Sequence, residues 1–159
     1  MTAARCVPLP DLAAVAALAA RIAAVLRPGD VVALSGPLGA GKTTLARAII
    51  AALGYRGEVP SPSFAIIELY APPALRLALV HADFYRLADP AEAREIGLDD
   101  YRSGAVLLAE WPEKAGGFAD EPGCLAIAIE FPPDSQGTGR QAIVEPGSDW
   151  VMRAPWTGR

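Results

Sequence analysis

The chain lacks most of the residue patterns that mark a crosslinked, membrane-spanning or nucleic-acid-binding protein. It has two cysteines in 159 residues. Cys6 and Cys124 have no metal-ligand spacing, and two unpaired thiols in a reducing compartment are expected in preference to a disulfide. Asparagine is absent altogether, which removes any Asn-Lys-x-Asp guanine-reading motif and argues against a GTPase. No apolar run reaches the roughly 18 residues of a membrane span. Leu12 to Leu26 is alanine-rich, but Arg21 interrupts it. The N-terminus has neither the charged start nor the cleavage site of a secretory signal, so a cytoplasmic location without membrane contact is expected. Lysine is scarce too: 12 of the 14 basic residues are arginines spread along a chain of net charge −4. Without a basic cluster, tight independent RNA binding is disfavoured, and any nucleic acid would matter only through a partner.

What is present is a core and a motif. Hydrophobic residues make up 52% of the chain, enough for one domain held by burial. The domain is expected over residues 1–147, with 148–159 as a C-terminal tail that is flexible, folded back as a cap or bound to a partner. Gly36-Pro37-Leu38-Gly39-Ala40-Gly41-Lys42-Thr43 matches the phosphate-loop pattern G-x-x-x-x-G-K-[ST]. Asp30 to Ser35 before it reads as a buried strand. Thr43 to Leu53 after it reads as a helix with Leu45, Ala48, Ile49 and Ala52 on its apolar face and Gly54 as its stop. In that setting Gly36, Leu38, Gly39, Ala40, Gly41, Lys42, Thr43 and Thr44 are the candidate phosphate-holding residues. Lys42 would neutralise phosphate charge and the Thr43 hydroxyl would reach Mg²⁺.

The remaining elements read mostly as strands. A helix is expected after Pro10-Asp11, ending at Pro28-Gly29. Strands are expected over Phe64 to Tyr70, Leu75 to Tyr85, Ala105 to Ala109, Cys124 to Phe131 and Arg140 to Val144. Asp89-Pro90-Ala91-Glu92 opens a short helix, which Gly97 ends. The fold class is therefore α/β: a mixed sheet of the P-loop NTPase kind flanked by helices, with an antiparallel hairpin inserted over 64–85.

A phosphate loop needs an acid for Mg²⁺ near the end of a buried strand, and two candidates fit. Asp83 follows Leu79-Val80-His81-Ala82 and shares a strand face with His81 and Tyr85. Glu110 follows Val106-Leu107-Leu108-Ala109, where Pro112 stops the strand. Both are candidates for metal binding and for orienting water, and the pattern does not divide the roles. His81, the sole histidine, suits a structural hydrogen bond as well as a functional role. Trp111 reads as a packing residue. Ser61-Pro62-Ser63-Phe64 is a polar turn whose hydroxyls could approach a terminal phosphate.

Taken together these segments resemble the bacterial tRNA threonylcarbamoyladenosine biosynthesis ATPase family, TsaE (YjeE). The matching pieces are Leu9-Pro10-Asp11, Gly36 to Thr44, Ser61 to Phe64, His81-Ala82-Asp83-Phe84-Tyr85-Arg86-Leu87 and Glu110-Trp111-Pro112-Glu113. Pro37 departs from the family, which commonly has Asp there, and Ser63 stands for its usual Thr. The resemblance implies a Mg²⁺-dependent ATPase with Lys42, Asp83 and Glu110 catalytic, Thr43, Glu110 and Asp83 at the metal, and Asp11 among the nucleotide contacts. It also implies work beside two partners, TsaB and TsaD, of which TsaD carries out threonylcarbamoyl transfer to tRNA. A small-molecule kinase or a non-catalytic nucleotide-dependent scaffold are the alternatives. Tyr85, Arg86, Glu92, Tyr101 and Trp111 are candidate partner contacts.

Overall fold

Strands buried on both faces carry near-continuous apolar runs, and four such runs make the centre of this fold. A computed structural model describes residues 4–62, 66–133 and 139–153. The strands are β1 (Arg5–Leu9), β2 (Val31–Ser35), β3 (Ile67–Tyr70), β4 (Leu79–Asp83), β5 (Val106–Glu110), β6 (Cys124–Glu130) and β7 (Arg140–Pro146). The helices are α1 (Leu12–Val25), α2 (Lys42–Ala52), α3 (Ala91–Glu95) and α4 (Leu98–Arg102). The seven strands form one sheet in the order β1-β7-β6-β2-β5-β4-β3. Neighbours from β6 through β4 pair in parallel. Both edges are antiparallel. This is the expected α/β mixed sheet flanked by helices.

Each face of the sheet covers its own apolar cluster. One holds Leu34, Leu79 and Leu108 beneath Leu18 and Ile22 of α1 and Leu45 and Ile49 of α2. The other packs Val80, Ala82 and Leu107 against Phe84, Ala93, Leu98 and Phe118, under the short helices α3 and α4. Asp11 caps α1 by accepting from the Ala14 N–H at 2.9 Å. Ahead of α3 the Asp89 side chain accepts from Ala91 N–H and Glu92 accepts from Asp89 N–H, but the N-cap position is Pro90, one residue later than expected.

Several sequence expectations change. The strand expected over Leu75 to Tyr85 is only Leu79–Asp83. Leu75 and Leu77 are buried all the same, as loop residues beneath the helices, so their apolar run reflects burial without a ladder. The hairpin is present as β3–β4, but β3 is an edge strand, so it extends the parallel core without interrupting it. Of its expected first strand, Phe64 lies outside the described residues, as does Ser63 of the polar turn. The buried face of α2 includes Ala46 and Ile50, while Ala52 is exposed, because α2 packs on α1 as well as the sheet. Strand β1 and helix α4 were not expected. Cys6 and Cys124 are both free thiols.

The described part of the tail folds back. The Trp150 indole N–H donates to the Gly123 carbonyl at 2.8 Å, and its ring is fully buried. Arg153 forms a two-pronged ion pair with buried Asp30. Residues 154–159, Trp156 among them, lie outside the described residues.

A candidate phosphate-loop site

The carboxyl ends of β2, β4 and β5 meet at one rim of the sheet, the rim at which α/β sheets bind ligands. The glycine-rich loop joins β2 to α2 there. Gly36 has φ +136°, and a Cβ at that position would lie 2.2 Å from the Ile129 carbonyl oxygen of β6. Only glycine allows the loop to pass so close to the sheet. Gly41, at φ +108°, turns the chain into α2 and has no side chain to cap it. The N–H groups of the first helical turn therefore face the loop without intrahelical acceptors, the setting that favours an anion. Pro37 is exposed, and its carbonyl closes the loop by accepting from Ala40 N–H at 3.1 Å.

A cleft of about 310 Å³ opens over the loop. Leu38, Gly39, Gly41, Lys42, Thr43 and Thr44 line one side, and Ser61, Asp83, Tyr85, Glu110 and Trp111 the other. A second pocket of about 270 Å³ adjoins it, walled by Asp11, Leu12, Val15, Ala40, Thr44, Ile129 and Arg140. The structure thus divides the candidates. Lys42, Thr43, Asp83 and Glu110 converge in the first cleft; Asp11 and Ala40 belong to the second; Gly36 contributes a carbonyl beneath the loop.

Lys42 is buried and donates to the Gly36 and Pro37 carbonyls at 2.7 and 2.9 Å. Burial pulls its pKa below the ordinary lysine value; the negative charges of Glu110, Glu113 and Asp83 oppose that shift. Asp83 and Glu110 are register partners on adjacent parallel strands, so both side chains project from the same face. Glu110 is gripped at both oxygens: Thr43 Oγ1 donates to Oε1 at 2.6 Å, and His81 Nε2 lies 2.7 Å from Oε2. Asp83 Oδ1 accepts from the Tyr85 N–H at 3.0 Å.

Two carboxylates beside a phosphate loop repel a polyphosphate unless a cation lies between them. The donors are hard oxygens, from Thr43, Glu110 and Asp83, which suit Mg²⁺. Among the described residues no three His, Cys, Asp or Glu side chains converge as a self-sufficient metal cage.

Trp111, expected as a packing residue, packs at the cleft, and the contact of Arg140 with the loop was not expected. Trp111 adopts φ +56°, a left-handed conformation, and its ring meets Tyr85 at 4.9 Å between centroids. Arg140 donates from Nε to Ala40 O at 3.1 Å while its guanidinium stacks 4.1 Å from the Phe131 ring centre. The loop and β7 are far apart in sequence, so no local pattern signals that contact. Of the candidate partner contacts, Tyr85, Arg86 and Tyr101 are exposed, Trp111 walls the cleft, and Glu92 caps α3.

Comparison with known proteins agrees with this geometry. The family model described as threonylcarbamoyl adenosine biosynthesis protein TsaE matches residues 9–141. The tRNA threonylcarbamoyladenosine biosynthesis protein TsaE of Mycobacterium leprae is 42% identical over 69% of this chain and 69% of its own length. The proteins of the same name from Haemophilus influenzae and Streptomyces coelicolor are 38% and 45% identical. Those alignments cover 65% and 60% of this chain, and 64% and 66% of the relatives' lengths. The crystal structure of Bacillus subtilis YdiB superposes with a TM-score of 0.76 at 29% identity, over 96% of this chain and 93% of that one. With a phosphate loop, two strand-end acids and a family match over most of its length, the chain belongs to the TsaE family.

Proposed function

We propose that this chain is a Mg²⁺-dependent ATPase whose turnover supports threonylcarbamoyladenosine formation on tRNA. The observation that carries the reading is the junction of Thr43 with Glu110, which joins the start of the phosphate-loop helix to an acid-bearing strand end. Phosphoryl transfer to water needs positioning and charge stabilisation more than covalent chemistry. Lys42 and the first-turn N–H groups of α2 offset charge on the phosphates. Thr43 and Glu110 hold the metal side of the cleft, and bound Mg²⁺ supplies charge neutralisation at the phosphate oxygens. Asp83, across the cleft from the loop, orients the attacking water. The pocket beside Asp11 and Arg140 receives the nucleoside end, since it continues the first cleft past Gly39 and Gly41.

The relatives are named for tRNA threonylcarbamoyladenosine biosynthesis, which supports a tRNA modification as the setting of this hydrolysis, beside partners of the TsaB and TsaD families. The basic residues are spread along the sequence without a cluster, which supports a role for tRNA through the partners. No helix among the described residues is long and apolar enough to cross a membrane. ATP hydrolysis by the purified chain, alone and with the partner pair, tests the reading. Stimulation by the pair is expected. Nucleotide binding with no hydrolysis in either condition would support a scaffold, and phosphorylation of a small acceptor would support a kinase.

A further inference from the structure

His81 is the chain's only histidine, and it is fully buried. Its Nε2 lies 2.7 Å from Glu110 Oε2, while Thr43 holds the other carboxylate oxygen. An ionised carboxylate only accepts, so Nε2 carries the proton and donates. Nδ1 is buried and has no hydrogen-bond partner among the described residues. Core packing alone would favour an apolar residue here, because burying an imidazole with one nitrogen unsatisfied is unfavourable. The side chain projects from the same sheet face as Asp83, two residues on, and Glu110. It therefore supports Glu110 from beneath.

We propose that His81 is a positioning residue that fixes the Glu110 carboxylate for metal binding. The proposal rests on the Mg²⁺-nucleotide reading above. With Nε2–H on one oxygen and the Thr43 hydroxyl on the other, the carboxylate plane cannot turn away from the cleft. Hydrogen bonds of this kind to ligating carboxylates typically account for about 10–100-fold in metal affinity. His81 is not among the residues that line the cleft; it acts through Glu110.

The test is Mn²⁺ binding to the full chain in the presence of ADP, followed by electron paramagnetic resonance, with ADP affinity measured separately without metal. His81→Gln puts an amide N–H near the position of Nε2. His81→Asn is equally polar, but its amide stops at the position of Nδ1. The Gln variant should retain most of the wild-type Mn²⁺ affinity and the Asn variant should lose about 10–100-fold, with metal-free ADP affinity unchanged in both. Equal Mn²⁺ affinity in the two variants would overturn the proposal. If wild-type protein with ADP takes up no Mn²⁺, the Mg²⁺-nucleotide reading falls first and takes this one with it.

Discussion

The Lys42 ammonium lies 4.3 Å from the centre of the Trp111 ring. The same ammonium donates to two loop carbonyls, so an aromatic face and the loop backbone together hold it at the cleft wall. Its pKa is lowered by burial, and the charges of Glu110, Glu113 and Asp83 limit the fall. Phosphate binding needs the protonated form. ADP affinity should therefore decline with rising pH before an ordinary lysine, near 10.4, would titrate. Removing an opposing anion lowers the pKa further, so Glu113→Gln should shift the decline to lower pH. ADP affinities measured across the alkaline range check this; a flat profile in both proteins would contradict it.

Glu110 and Asp83 should fail in different ways. Glu110→Gln weakens the grip on the metal, and hydrolysis should then need more Mg²⁺. Asp83→Asn removes the carboxylate that orients water, and kcat should drop about 10²–10⁴-fold with the Mg²⁺ requirement little changed. Lys42→Ala should abolish turnover. Hydrolysis rates across a Mg²⁺ titration distinguish the two acids, and the reverse pattern would exchange their roles.

Arg153 and Asp30 are both about 5% exposed and meet at 2.6 Å. Arg153→Met leaves the Asp30 charge buried without its partner, a loss of about 3–5 kcal/mol. Among the described residues, Asp30 would keep its bond from the Arg27 N–H. Urea denaturation measures the loss. Adding Asp30→Asn to Arg153→Met should recover part of it, because the stranded charge is gone.

The two thiols should react unequally. Cys124 is buried, and burial, with Glu121 nearby, pushes its pKa up to about 12. Cys6 is exposed. A thiol reagent at mildly alkaline pH should label Cys6 in the native protein and reach Cys124 only after unfolding. Labelling of Cys124 at the native rate would mean that its cover opens readily.

The parts of this fold written in local chemistry were legible in the sequence. The phosphate loop carries its three glycines within six residues, at 36, 39 and 41, and β4 and β5 each end a buried apolar run on an acid. What depended on distant pairing was not legible. Strand β1 is an edge strand whose partners, such as Ala142 opposite Val7, lie far along the chain. Its alternation is short and contains Pro8, which edge strands tolerate. His81 could not be assigned from its own surroundings, because its partner Glu110 lies on the neighbouring strand. The register of Asp83 with Glu110 is what brings the three together, and register is set by the whole sheet.

The Asp30–Arg153 pair sits where β2 begins, at the end of the parallel strands away from the phosphate loop. Its loss would leave every side chain of the cleft in place. In a cell, such a lesion would act on dosage: a larger unfolded fraction is exposed to proteases, and fewer copies survive with unaltered chemistry. A genetic screen would score it with Lys42→Ala as a loss of function. Supplying more protein would rescue the first and never the second.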